Sequence, residues 1–384
     1  MPDIAVIGAG ALGSLTALGL ADTGVSVTLV DGRPQIWGGA TRAGEGKVHL
    51  GFVYAKASDD SVALLLEAAT RFDTDIEALC GRPMPWPTLR SAPFRYLVAD
   101  TSLIAPEEFS AHVDRMRRLA VGLPPSARYL GCELDVRTRH TRTDDRGSFH
   151  DTPELAVDLP ALRQIVEQRL VATPSVQQEL GTTVTDVSLS DEGWWLARPA
   201  GDLGPFDAVV NCTWEHRAAL DQLAGIHHAT EPTLRLRAFI HGRSPGPARA
   251  LTIMLGPYGD FVRFAGGRTY ASWYPTGLLG FHRGAAPPAS WQAELDEEAL
   301  AASMIEGLRR YEPDAASISD LEVAARVVVA HGATDIDDPA SGLHERSDAG
   351  IDVRNGWVTV RSPKLTTAPM MARRAVAATL AELR

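Results

Sequence analysis

Asp3-Ile4-Ala5-Val6-Ile7-Gly8-Ala9-Gly10-Ala11-Leu12-Gly13 is an apolar run that breaks into three spaced glycines. Residues 3–8 read as a buried strand, 11–23 as a helix and 26–31 as a second strand. Each glycine has its own reason. Gly8 permits the tight turn out of the strand, Gly10 lets backbone approach a pyrophosphate, and Gly13 lets the helix pack against the sheet. The helix start at Ala11 and Leu12 offers unpaired N–H groups and a positive dipole end to phosphates. Asp31 closes the second strand, with Gly32 and Arg33 beside it. A carboxylate there accepts both hydroxyls of a ribose. The segment is a dinucleotide site.

The stretch after the second strand separates the possible dinucleotides. A nicotinamide dehydrogenase continues there with regular β-α units. This chain runs instead Gly38-Gly39-Ala40-Thr41-Arg42-Ala43-Gly44-Glu45-Gly46-Lys47-Val48-His49-Leu50-Gly51. Such a Gly-rich crossing can lie along an extended cofactor, and Gly39, Thr41, Gly46 and Leu50 are its expected contacts. Arg42 and Lys47 are candidates for pyrophosphate or flavin contact, with a solvated loop charge as the alternative. His49 is expected near an isoalloxazine edge. Much later, Lys364-Leu365-Thr366-Thr367 leads into an Ala-rich helix with Pro369 in its first turn. That helix start suits the negative N1–C2=O edge of a reduced flavin. A plain capped surface helix is the alternative.

In the order of these segments the sequence resembles the D-amino-acid oxidase/glycine oxidase/sarcosine oxidase family of FAD-dependent amine oxidoreductases. Glu154 to Leu170 is similar to that family's acidic-apolar approach to the helix after its first cap insertion. Thr183-Val184-Thr185 resembles the adenine-side strand. Asp207 to Cys212-Thr213-Trp214 resembles the strand returning beneath the adenosine, and Ser362 to Pro369 the opening of the terminal helix. The resemblance implies an α/β fold: a Rossmann-like FAD-binding domain of the glutathione-reductase type with an antiparallel β-sheet cap over the substrate. The expected division is 1–88, 151–217 and 332–384 for the FAD-binding domain, and 89–150 and 218–331 for the cap. FAD is expected to be non-covalent, because the His49 segment differs from familiar His or Cys attachment sequences.

The resemblance further implies oxidation of a C–N bond of an amine or amino-acid-like small molecule, with O2 or another electron acceptor as oxidant. A C–O or C–C bond of a specialised metabolite and a catalytically silent FAD-binding protein are the alternatives. Hydride transfer to flavin needs a positioned carbon and a dry site more than a dedicated acid or base, so no catalytic residue is assigned. An α-amino acid calls for an Arg to hold its carboxylate. Tyr258, Arg263, Tyr270, Trp273 and Tyr274, Arg326 opening an apolar strand, and Arg346 in a polar loop are the substrate candidates. A cap core made of these aromatics is the duller expectation.

Composition bounds the rest. At 384 residues, 45% apolar and 22% charged, the chain is long enough for two substantial domains of a globular protein. A net charge of -11 disfavours nucleic-acid and anionic-membrane partners. No secretory signal and no spanning segment are read, and the three cysteines suit a reducing cytoplasm. His216, His227, His228 and His282 lack metal-ligand spacing, and no metal is expected. Arg115 to Arg118 reads as a solvated helix face.

Overall fold

A computed structural model describes residues 1–124, 127–134 and 136–384. Its first sheet has six strands in the order 176–180, 26–31, 3–7, 208–211, 357–361 and 350–354. Five are parallel; Gly350–Arg354 is an antiparallel edge on Trp357–Arg361. The strand Asp3–Ile7 is central and almost wholly buried, as a parallel strand covered on both faces must be. The first helix (Ala11–Ala21) shows little amphipathicity for the same reason: it is buried nearly all round between that sheet and neighbouring helices. The terminal helix (Ala368–Glu382) packs on it, and the long helix Asp59–Cys80 packs on both. Ser58 caps the long helix by accepting from Ser61 N, and Gly81 closes it in the left-handed region at φ 66°.

The second sheet is built from Phe94–Ala99, Arg139–Asp144, Gly147–Asp151 and the strands between Thr233 and Arg283, with Ser319–Ala330 added on Thr233–Arg243. It is antiparallel except where Arg249–Met254 runs parallel to Phe94–Ala99. A third, three-stranded sheet (186–190, 193–197, 203–206) flanks the first. Among the described residues no helix is long and apolar enough to cross a membrane.

Several elements are bounded by local turns and caps. Leu203–Phe206 and Ala208–Asn211 are strands of different sheets, because Asp207 turns the chain between them, its backbone N–H donating to Asp3 O. The helix approached from Glu154 starts at Leu159 behind Asp158, whose carboxylate accepts from Ala161 N at 3.1 Å. Tyr274 leaves its strand for a helical turn at Tyr274–Gly277. Further on, a 3-10 turn, Ala289–Gln292, precedes a helix over Glu297–Arg309 capped by Asp296. Because the two large sheets draw on separate segments of the chain, we propose the domain division expected from the sequence.

Candidate active site

A continuous cavity of about 1120 Å³ runs from the carboxyl ends of the first sheet to the underside of the second. That exceeds the usual range for one small ligand, roughly 300–1,000 Å³. It has room for an extended dinucleotide and a substrate beyond it.

At one end the glycine turn behaves as its residues dictate. A Cβ on Gly8 (φ 99°) would meet Cys212 O at 2.7 Å, and one on Gly13 would meet Gly8 O at 1.7 Å. Gly8, Gly10, Ala11 and Leu12 line the cavity, whereas Gly13 sits behind them as a packing residue. Thr41 Oγ1 accepts from Ala11 N at 3.2 Å, tying the Gly-rich crossing to the helix start. Asp31 is oriented by two backbone donors, Ala9 N at 2.7 Å and Arg33 N at 2.8 Å. Its remaining lone pairs face the cavity with Gly32, Arg33 and Val184. Gly39, Cys212, Thr213 and Trp214 complete this end. Burial pushes the Cys212 thiol up to about 12, so it is a neutral filler there. Arg42 lies outside the lining, exposed and paired with Glu322 at 2.5 Å.

A roof crosses this half of the cavity. Arg326 to Ala330 of the strand Ser319–Ala330 line it, and Trp214 Nε1 donates to Val327 O at 3.0 Å. Trp214 holds φ at 54°, a costly conformation for a bulky residue that its surroundings must impose. Arg326, expected as a carboxylate ligand, stands under the influence of Arg33 and Arg42 at the dinucleotide end. Burial lowers its pKa first, and those two cations lower it further.

The middle of the cavity is the crossing segment. Gly46, Lys47 and His49 line it, while Leu50 is turned away and donates from its backbone to Glu154 Oε2 at 2.7 Å. Glu154 is fully buried and also accepts from Tyr96 Oη. Burial resists its charge, and His49, Lys47 and Tyr96 outweigh it, so its pKa is lowered. His49 Nδ1 stands 3.6 Å from Glu154 Oε1, an ion-pair distance and not a hydrogen bond. Burial keeps the His49 ring below its usual pKa. His49 N donates to Thr366 Oγ1 at 2.8 Å, joining the crossing to the Lys364–Thr367 loop. Lys364 and Leu365 line the cavity; Thr366 and Thr367 support them from behind. Burial, then Arg346, takes Lys364 down to about 7.

Lys47 reaches across to the second sheet. Its Nζ donates to Thr252 Oγ1 and Asp260 Oδ1, each at 2.6 Å. Burial works against the charge, but Asp260 and then Glu45 raise its pKa overall. Lys47 is therefore no solvated loop charge.

The far chamber differs most from expectation. Tyr258, Tyr270, Tyr274 and Arg346 do line it. Arg263 and Trp273 do not. Arg263 is buried within the second sheet and spends its donors on Pro247 O, Ser244 Oγ and Asp314. Trp273 packs on Tyr258 and Tyr311 and fills the space left by Gly307. In their place stand Arg235 and Arg237, joined by Tyr54 and Asp260, none of which was expected. Arg235, Arg237 and Phe239 alternate along Thr233–Arg243, so one face of that strand points into the chamber.

The same burial that dries the cavity makes the fold acid-sensitive. His112, His150 and His241 are each pushed down to about 4, burial being the largest cause in each. The unfolded chain, with histidines near 6.5, binds more protons than the fold between those values. Stability is therefore complete above about 6.5 and lost as pH falls towards about 4. Melting temperature is expected to drop steadily between pH 7 and pH 4.5, and a flat profile would contradict this.

A glycine turn at a parallel sheet's carboxyl edge, leading to a closed chamber under a second sheet, marks a dinucleotide-dependent oxidoreductase. The chain belongs to the FAD dependent oxidoreductase family, whose model matches residues 3–378. Its cofactor is FAD. In overall fold it is similar to glycine oxidase from Geobacillus kaustophilus, at 13% identity and TM-score 0.68, covering 100% of this chain and 95% of that one. It is also similar to iminodiacetate oxidase from Chelativorans sp. BNC1, at 17% identity and TM-score 0.66, covering 99% and 95%. An amino acid oxidase of nikkomycin biosynthesis matches at 14% identity and TM-score 0.66, covering 99% and 94%. A search of curated proteins finds no match.

The residues present fit FAD. Ala11 N is taken by Thr41 Oγ1, not left unpaired as expected, but the positive end of the first helix still suits a pyrophosphate, and Asp31 an adenosine ribose. The crossing and the Lys364 loop flank the middle of the cavity, which has room for its ring system.

Proposed function

We propose that the protein oxidises a C–N bond of an amine or amino-acid-like small molecule to an imine. When bound, FAD supplies a hydride acceptor at N5, and O2 is the proposed final oxidant. The observation that carries this reading is the chamber of Arg235, Arg237, Arg346 and tyrosines continuous with the cofactor groove. Guanidinium groups hold a carboxylate by paired hydrogen bonds and so orient the neighbouring carbon. The proteins similar in fold include oxidases of glycine and iminodiacetate, which agrees with this chemistry.

Each residue then has a task. The Arg cluster binds the acid group; Tyr54, Tyr270 and Tyr274 wall the chamber and exclude water. Burial holds the Tyr270 hydroxyl well above its usual pKa, so it stays protonated. Lys364, near 7, can carry a proton at Nζ or release it at physiological pH. The neutral His49 ring packs edge-on to Tyr54 at 5.2 Å and fixes that wall.

The test is anaerobic mixing of the yellow protein with amines, amino acids and hydroxy acids. Bleaching by at least one amine or amino acid, with an imine or its hydrolysis product formed, is expected. Bleaching by hydroxy acids alone would overturn the C–N assignment.

A further inference from the structure

The cations of the far chamber outnumber what one carboxylate needs. Arg237 makes no hydrogen bond or ion pair among the described residues; it lies over the Tyr274 ring at 4.5 Å and the Phe239 ring at 5.3 Å. Its Nε is buried without a partner. Arg346 is 8% exposed, and its Nη1 donates only to the backbone oxygens of Leu343 and Glu345. Its Nε is likewise buried and unpartnered. Arg235, 3% exposed, donates to Tyr274 Oη at 3.2 Å and stands 3.7 Å from Asp335, and its Nε too is orphaned.

The acids nearby are already committed. Asp260 is held by Lys47 and by Thr252, and Glu345 by Ser58 and Ser61. Asp335 is taken by Tyr274 Oη and Arg235. Glu45 acts on Lys47 and Lys364, towards the cofactor. Buried charges without partners are costly, so orphaned guanidinium edges on a cavity wall mark places where an anion belongs.

These edges lie on two walls. Arg346 comes from the loop before the first sheet's edge strand, whereas Arg235 and Arg237 come from one face of a second-sheet strand. Side chains two apart on one strand face are spaced by roughly 7 Å. Arg235 is close enough to lower the pKa of both Arg346 and Arg237, so the three cations share one chamber. The cofactor's phosphates do not explain the set, since Gly8 to Leu12 and Thr41 lie at the opposite end of the cavity.

We propose that the substrate carries two anionic groups, a dicarboxylic amine or amino acid. One carboxylate lies between Arg346 and Arg235, and the second is held by Arg237. This rests on the C–N reading for its chemistry but not for its binding. The probes are therefore unreactive acids titrated into the FAD-loaded protein and followed by the flavin difference spectrum. Dicarboxylates such as malonate, succinate and glutarate are expected to bind at least about tenfold more tightly than acetate, propionate and butyrate. Arg237→Gln is expected to remove that preference. Equal affinities for the two sets in the parent protein would overturn the proposal, whatever the variant does. So would a preference that survives in a flavin-loaded Arg237→Gln protein of unchanged melting temperature. Tight dicarboxylate binding with no bleaching by any amine would instead overturn the C–N reading and leave the two-anion chamber standing.

Discussion

Gly13→Val is expected to purify colourless. The new Cβ would sit 1.7 Å from Gly8 O and 3.2 Å from the Cys212 Cβ, and the first of these is backbone in the turn proposed to seat the cofactor. Neither the helix nor the turn can yield without moving the N–H groups away from the pyrophosphate. Overpacking of this kind costs about 3 kcal/mol or more, which is about a hundredfold in affinity. Flavin absorbance per protein measures the loss. Gly122→Ala is the control, because a Cβ there meets nothing within 4 Å. A Gly13→Val protein with full flavin content would show that the turn is not the cofactor's seat.

Glu154→Ala is expected to cost about 3–5 kcal/mol of stability. The carboxylate accepts from Leu50 N and Tyr96 Oη and helps to balance Lys47, all within the core. Truncation leaves a buried hydroxyl and a backbone N–H without their acceptor at once. Glu154→Gln keeps the shape and an acceptor for Leu50 N, so it should lose clearly less. Denaturant midpoints for the two variants give the comparison. Near-equal stability of Glu154→Ala and the parent would mean that water replaces the carboxylate.

The range of each interaction decides how much of the fold and site is legible in the sequence. The glycine turn is written within eleven consecutive residues, and its reasons are local: a positive φ, a close approach, a helix start. The Lys364 loop is readable for the same reason, since Pro369 and the alanines after it announce a helix. The chamber is not. Thr233-Leu234-Arg235-Leu236-Arg237 has the alternation of a strand with a solvated face, and only the sheets closing over it turn that face inward. Arg263 misleads in the opposite sense. Its partner Asp314 is distant in the chain, so nothing local reveals that its charge is already used. Glu154 beside an apolar run reads as a helix approach, because Tyr96 and Leu50, which claim it, lie far upstream.

The join between His49 and Thr366 has a consequence for how the protein is made. The strand Asp3–Ile7 and the glycine turn leave the ribosome early, but Trp357–Arg361 and the Lys364 loop emerge only much later. Until they arrive, the sheet lacks a strand beside Ala208–Asn211 and the cavity lacks one wall. Nascent chains should therefore be unable to close the cavity between these two segments until the Lys364 loop has been made.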